Sequence, residues 1–556
     1  MGCLLYVLLS CLLCLSNGEI SSKIGINYGQ LGNNLPPPSQ SIQLIQSLKA
    51  KRVKLYNTDP QILSNLSDTD LQVSVMLPND LISNISANQT LSDQWVQTHI
   101  LPFHRNVRIR YLLIGNEILS NSGTDRDKQT WYDLVPAMYR IKRSLNALKI
   151  PKIKLGTPVA MDVLESSFPP SNGTFRSDIS ETVLTPLLRF VNRTKSFFFL
   201  DVYPYFPWSE HSAQISLDYA LFRGGAAANL TYTDPGTNLT YTNLLDQMLD
   251  SVNFAMTRLG FPHVRILISE TGWPSNGDID QIGANIYNAA TYNRNLVRKI
   301  TAKPPLGTPA RPGEVIPTFI FSLYNENMKP GPGTERNWGL LRPDGVRTYE
   351  VDLTGKMTES EYAPLPAGKN NEKYKGKIWC VVARARGMGA VEARAGALGD
   401  AVAYACGQGN GTCEALRPGG ECYEPVSLER HASYAFNSYW VQLRGSGATC
   451  FFNGLAEQTT EDPSEFDNYG GVSGGSGTGR SFKMHCSMHK SVRRVRVEGT
   501  MELSFDHVQR VAFQVSSKVT LKTAPFLQQN GNEFALKSYI FAGKEVATAA
   551  LSYSLK

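Results

Sequence analysis

Two glutamates stand out by position. Ile114-Gly115-Asn116-Glu117 and Ile268-Ser269-Glu270-Thr271-Gly272-Trp273-Pro274 each set a carboxylate directly behind apolar residues, where a lone charge costs on the order of several kcal/mol unless it is paired or has a task. One such Glu could close a structural salt bridge to an interior arginine. Two in the same setting point to a working pair, one carboxyl able to donate a proton and the other able to attack or to activate water. Cleavage of a glycosidic bond requires such a pair, flanking the scissile linkage. The eight histidines are scattered without ligand spacing, and the only Cys-x-x-Cys, Cys11 to Cys14, lies in an apolar leader. Neither a metal nor a cofactor is expected.

The elements that must carry this pair repeat one arrangement: a short apolar run, a polar loop, then a stretch of helical periodicity. The runs are Lys23–Gly29, Arg52–Asn57, Leu71–Pro78, Arg110–Glu117, Lys152–Ala160, Phe197–Phe206, Arg265–Pro274 and Thr318–Glu326. Between them, Ser39–Ala50 sets Ile42, Ile45 and Leu48 on one stripe, and Trp131–Leu148 does the same with Leu134, Met138, Ile141 and Leu145. Eight strand-helix repeats predict an α/β chain folded as a (β/α)8 barrel over residues 19–355. An open doubly wound sheet is the competitor, but no Gly-rich phosphate loop follows any run. Barrel active sites sit at the C-terminal ends of the strands. Glu117 closes the fourth run and Glu270 the seventh, so the two can face each other across the mouth. Tyr28, Tyr203, Tyr205, Phe206 and Trp273 also stand at strand ends, where rings could stack on sugars. Core packing accounts for any one of them equally well.

A chain of 556 residues exceeds one hydrophobic core, since cores stop growing near ~250–300 residues. Residues 1–18 are almost wholly apolar and end in small polar residues, which reads as a signal peptide. An uncleaved anchor is the alternative, though the run is short for a span. Asn-x-Ser/Thr sequons at Asn65, Asn84, Asn88, Asn172, Asn192, Asn229, Asn238 and Asn410 agree with secretion. Three of the nine cysteines lie in the leader and six between Cys380 and Cys486. A disulfide-free barrel is therefore expected, then a Gly/Pro-rich linker at 356–376 and a small stapled module at 377–470. Residues 480 to 556 hold twelve basic and five acidic side chains, the whole of the formal +7. The remainder is neutral, which suits a neutral substrate and argues against nucleic acid. In the basic tail, 471–556, Val492–Phe505 and Val508–Leu521 alternate like strands; translation past the true stop is the other reading of this segment. Its end, Ala547–Lys556, is too short and polar for a cleaved lipid-anchor signal. A secreted monomer without a stable membrane span is expected.

The segments KIGINYGQLGNNLP, IGNE, DVYPYF, ISETGWPS and SLYNENMKPGPGTERNWGLLRPDG together resemble the plant family 17 glycoside hydrolases, the endo-β-1,3-glucanases, from about Lys23 to Asp352. The resemblance implies a retaining enzyme acting on callose or fungal wall glucan, with Glu117, behind Asn116, as acid/base and Glu270 as nucleophile. It also implies that Glu326, Lys329 and Glu335 support the pair, the lysine holding one carboxylate ionised; an ion-pair network tying the last loop is the plainer reading of these three. Strand two reads Lys-Leu-Tyr-Asn where many relatives have Arg-Leu-Tyr-Asp, a departure expected to touch local packing alone. Residues 379 to 465 resemble the six-cysteine β-1,3-glucan-binding module of family 43. That pattern implies Cys380–Cys450 and Cys406–Cys413 bridges, and leaves Cys422 with only Cys486 as a partner. A 1,3-1,4-β-glucanase and a wall-binding protein with a silent barrel are the alternatives.

Overall fold

Each of the eight runs becomes a strand, because a short stretch that is apolar on both faces is satisfied only in a parallel sheet covered on both sides. The computed structural model describes residues 24–120, 125–383, 391–409, 411–424, 426–463, 527–530, 533–542 and 545–553. The strands are β1 (Ile24–Tyr28), β2 (Arg52–Leu55), β3 (Gln72–Leu77), β4 (Arg108–Ile114), β5 (Lys154–Gly156), β6 (Pro158–Ala160), β7 (Phe198–Asp201), β8 (Ile266–Thr271) and β9 (Thr318–Ile320). They hydrogen-bond in the order β5-β4-β3-β2-β1-β9-β8-β7-β6, all parallel. The fifth run breaks at Thr157, and its halves serve opposite neighbours: β5 pairs with β4 and β6 with β7. Eight runs thus give nine strands in a nearly closed barrel.

Alternation along each strand builds two cores. β4 sends Tyr111 and Leu113 inward to meet Met76, Phe197, Phe199, Leu267 and Phe319, and sends Leu112 and Ile114 outward to the helix layer. Gly156 is required at its place because a Cβ there would overlap the Phe199 ring. Outside the barrel, α1 (Pro38–Ser47) buries Ile42 and Ile45. The long α2 (Asp125–Ala147) buries Leu134, Met138, Ile141 and Leu145 along one stripe, each worth about 1.5–3 kcal/mol in transfer free energy. α3 (Leu244–Arg258) and α4 (Ile286–Thr301) start on Asn243 and Asn285, whose side chains accept the backbone N–H of Asp246 and Asn288.

The segment at 356–376, read from composition as a linker, is in fact fastened to the barrel. The Arg294 guanidinium of α4 lies 3.8 Å from the centre of the Tyr362 ring and pairs with Glu359 at 3.0 Å. Asn370 and Asn371 bond to Asn285, and Asn371 also to Asn288. Beyond it, β10 (Trp379–Val382) pairs antiparallel with β11 (Ala456–Thr459) beside α5 (Val391–Gln408) and α6 (Leu428–Leu443). Leu398, Phe436 and Trp440 fill this small core, and Phe452 stacks on Phe436 at 4.0 Å. Cys380–Cys450 and Cys406–Cys413 are bridged, as the family pattern implied. Cys422 is buried and disulfide-bonded, while Cys486 lies outside the described residues. Module and barrel touch where Arg336 covers the Phe451 ring at 3.6 Å and Gln458 donates to Asp280 at 3.0 Å.

Residues 492–556 form a separate unit. Its strands Leu527–Asn530, Glu533–Ala542 and Glu545–Tyr553 make an antiparallel meander. The strands expected at Val492–Phe505 and Val508–Leu521 and the leader 1–18 fall outside the described residues. Among the described residues no helix is long and apolar enough to cross a membrane.

Candidate active site

Glu270 owes its direction to a bulge. β8 pairs Ile268 with Leu200 of β7, then Glu270 with Asp201, so Ser269 is an extra residue and the register shifts. An inserted residue re-aims the side chain that follows it. Glu270 becomes 6 % exposed at the barrel mouth, and the Ser269 hydroxyl bonds to Asp201 while its carbonyl accepts from Asn27 Nδ2 at 2.9 Å. Glu117 is placed by a different device. The chain leaves β4 through Gly115 at φ +69° and Glu117 at φ +49°, a left-handed conformation that costs a residue with a Cβ about 1–3 kcal/mol. Two fasteners hold it: the Glu117 N–H donates to the Pro158 carbonyl at 3.1 Å, and the Asn79 side chain brackets the Asn116 backbone by donating to its carbonyl and accepting its N–H.

The carboxyls then meet opposite electrostatics. Burial alone would push the Glu270 carboxyl up, but Lys54 Nζ at 2.7 Å and hydrogen bonds from Lys54, Tyr56 and Tyr203 hold it below the ordinary range. Tyr56 and Tyr203 donate at 2.5 and 2.7 Å to its two oxygens. Burial and the Glu270 charge push both phenols well up, so they stay protonated and keep donating. Glu117 moves the other way: burial, then the negative charge of Glu270, push it up to about 7 against the pull of Lys54. Asp201, buried and accepting the Ser269 hydroxyl, is also driven well up by burial and by the Glu270 charge, against the pull of Lys54 3.9 Å away. The surroundings thus favour charge on Glu270 and the proton on Glu117, which is how two equal residue types divide acid from base.

These groups open on a cleft of about 1670 Å³. Glu117, Glu270, Glu326, Lys329, Glu335, Tyr28, Asn116, Tyr203 and Phe206 all line it. Phe206 is 45 % exposed and forms with Tyr203 and Trp338 an aromatic wall, with centroids 5.0–5.8 Å apart. Three expectations need correction. Trp273 is 0 % exposed and its indole donates to the Gly283 carbonyl; Tyr205 packs edge-on to it at 5.3 Å. Both close the barrel top behind the wall, and an enclosed ring has no face left for a sugar. Lys329 Nζ sits 3.0 Å from Glu335 and over the Phe321 ring, while buried Glu326 accepts the Leu31 N–H at 2.7 Å; the cation that holds Glu270 ionised is Lys54. Strand two therefore shapes the site itself, through Lys54 and Tyr56. Lys54, Tyr56, Asp201 and Trp338 were missed in the sequence. The available signal for the first was a lysine between Val53 and Leu55, in a strand with no solvent face. Among the described residues no group of His, Cys, Asp and Glu could hold a metal ion.

Residues 24–353 match the glycosyl hydrolases family 17, and residues 378–457 match the X8 domain. The chain belongs to glycosyl hydrolase family 17. It is 57 % identical over 446 residues to the probable glucan endo-1,3-beta-glucosidase A6 of Arabidopsis thaliana, covering 80 % of this chain and 90 % of that one. Glucan endo-1,3-beta-glucosidase 13 of the same plant is 35 % identical over 458 residues, covering 82 % and 86 %. Among solved structures, CJP38, a β-1,3-glucanase and allergen of Cryptomeria japonica pollen, is similar at 35 % identity and a TM-score of 0.55 over 60 % of this chain and 99 % of that one. One of two plant β-glucan endohydrolases with distinct substrate specificities is similar at 32 % and 0.53, over 59 % and 99 %. The bulged glutamate and the left-handed glutamate of this glycosidase both lie inside the matched region.

Proposed function

We propose that the protein is a secreted endo-hydrolase that cleaves internal 1,3-β-D-glucosidic linkages of β-1,3-glucan with retention of configuration, Glu117 acting as acid and base and Glu270 as nucleophile. The observation that carries this reading is the opposed protonation of the two carboxyls: Lys54 and two phenols favour charge on Glu270, while burial and that same charge favour the proton on Glu117. In the first step Glu117 gives its proton to the glycosidic oxygen as a Glu270 oxygen attacks the anomeric carbon. The C–O bond to the leaving sugar breaks and a glycosyl ester forms. In the second step Glu117, now ionised, takes a proton from water, the hydroxide oxygen bonds to the anomeric carbon, and the ester bond to Glu270 breaks.

The names of the relatives support the substrate, and the aromatic wall of Tyr203, Phe206 and Trp338 suits uncharged sugar rings. One of two plant β-glucan endohydrolases with distinct substrate specificities is similar to this chain, and the same barrel can host a 1,3-1,4-β-glucanase by changes in the cleft loops. The X8 domain is read as raising residence time on insoluble glucan, and its disulfides fit the secretory pathway. Incubation with laminarin, with new reducing ends counted and their anomeric form followed by proton NMR, tests the reading. Early β-anomer is expected. No new ends would leave a wall-binding protein, release from a mixed 1,3-1,4-glucan alone would move the specificity, and early α-anomer would exclude retention.

A further inference from the structure

The cleft extends well beyond the carboxyl pair. Its lining includes Phe168, Leu164 and Met161 from the chain after β6, and Ile215, Leu230, Tyr232 and Met248 from the segment after β7. β1 and β9 are neighbours in the ring, with β8 between β9 and β7, and their following loops bring Leu31, Glu326 and Lys329 to the other arm. In the far arm Phe168, 61 % exposed, leans on Tyr232 with ring centroids 5.0 Å apart.

Asn229, Leu230 and Thr231 also line this arm, and together they are an Asn-x-Thr sequon. Seven of the eight sequon asparagines are described, and Asn229 alone among those seven lines the cleft. Asn229 and Thr231 are both exposed. The turn that presents them is well fixed: Gly225 and Leu230 exchange backbone hydrogen bonds at 2.8 and 3.1 Å, and Asn229 sits at φ +51° after a short helical turn, with its N–H donated to Ala226. Gly225, at φ +144°, occupies a conformation that side chains rarely adopt.

We propose that Asn229 carries an N-linked glycan that caps the β6–β7 arm of the cleft and thereby sets how many glucose units the arm accepts. The inference rests on the endo-glucanase reading given above. The co-reactant is a lipid-diphosphate-linked oligosaccharide of the secretory pathway, the compartment in which the disulfides of this chain form. The Asn229 side-chain nitrogen bonds to the anomeric carbon of its first N-acetylglucosamine, one amide proton is released, and the lipid diphosphate leaves. The attached sugars are neutral, hydroxyl-rich rings, suited to the same aromatic surfaces that would hold a glucan. They compete with a long chain for the Phe168–Tyr232 shelf without touching Lys54, Glu117 or Glu270.

The test uses the full chain expressed in plant cells. Mass spectrometry of the peptide containing Asn229 reads occupancy, and reducing-end-labelled laminarihexaose reads which bond is cut. Asn229→Gln and Thr231→Ala both abolish the sequon, whereas Thr231→Ser preserves it. The expected result is an occupied Asn229, a cleavage pattern displaced by at least one sugar and a several-fold gain in kcat/KM for hexaose in the first two variants, and the wild-type pattern in Thr231→Ser. Trimming the native protein with an endoglycosidase should shift the pattern in the same direction. An unoccupied Asn229 overturns the proposal, as does an occupied one whose removal leaves the pattern unchanged. A shift in Asn229→Gln without one in Thr231→Ala would assign the effect to the amide itself. If no variant cuts any laminari-oligosaccharide, the endo-glucanase reading fails instead, while occupancy is still measured.

Discussion

Replacing Lys54 by methionine removes the cation from beneath Glu270 while keeping a side chain of similar length in a slot that is 0 % exposed. The ammonium lies 2.7 Å from Glu270 Oε1, a separation worth about 6 kcal/mol at an effective dielectric constant of ~20. Part of that is offset by the cost of keeping both charges from water, and breaking a buried pair typically costs about 3–5 kcal/mol. Without that cation the Glu270 carboxyl should rise out of its depressed range, and a net loss of ~3 kcal/mol corresponds to roughly 100-fold at about 1.4 kcal/mol per tenfold. Tyr56 and Tyr203 still donate to it, which limits the rise. Glu117 rises as well, because Lys54 also pulls it down. The rate profile on soluble laminarin is therefore expected to move bodily upward in pH. kcat/KM at pH 5 should fall by roughly 100-fold, with much of the loss recovered near pH 8. Lys54→Arg, which keeps the charge, should retain the acid limb of the wild type. Reducing-end assays between pH 4 and 9, with circular dichroism to confirm folding, measure this. A loss of equal size at every pH would refute the reasoning, because it would mean that Lys54 does not set the charge of Glu270.

Glu117 has a folded pKa of about 7 against an ordinary 4.5, so ionising it costs the folded state up to about 3 kcal/mol, a penalty absent below pH 4.5 and complete above pH 7. Glu117→Gln should accordingly match the wild type in thermal unfolding at pH 4 and be the more stable protein at pH 8; equal stability at both would show the carboxyl to be unperturbed. Asp201→Asn should retain at least a third of wild-type kcat, since burial and the Glu270 charge favour the neutral form that an amide mimics, and a loss beyond ~100-fold would mean that Asp201 works as an anion. Phe206→Ala should fold normally and raise KM several-fold, whereas Trp273→Ala should lower stability by about 3–5 kcal/mol, both read by kinetics alongside urea unfolding. Reversed outcomes would restore Trp273 to the sugar-binding surface.

The barrel was legible because parallel strands buried on both faces must be written in unbroken apolar runs, and eight of them followed one another in order. Glu117 and Glu270 were legible because each ends such a run. Lys54 was hidden by the opposite circumstance: it lies inside a strand, where a polar residue ordinarily reads as facing out. Asp201 was hidden because the Ser269 bulge, invisible in the alternation, is what sets it opposite Glu270. Tyr205 and Trp273 were misplaced for a related reason. Aromatic residues at strand ends serve both the sugar surface and the barrel cap, and only the turn of the chain after the bulge separates the two uses. The strap at 356–376 looked like free linker by composition, yet its Tyr362 and asparagines find partners on α4 that lie far away in sequence.

The central claim is that Glu270 attacks the anomeric carbon, and its most direct measurement is the site of a trapped ester. An activated 2-deoxy-2-fluoro laminaribioside forms the glycosyl enzyme and, by destabilising the transition state of its breakdown, slows release. Peptide mapping of the inactivated full-length protein should show one added glycosyl unit on the peptide containing Ile268-Ser269-Glu270-Thr271, and none after Glu270→Gln. A glycosyl unit on Glu117 or any other residue, or rapid turnover with inverted product and no ester, would contradict the account.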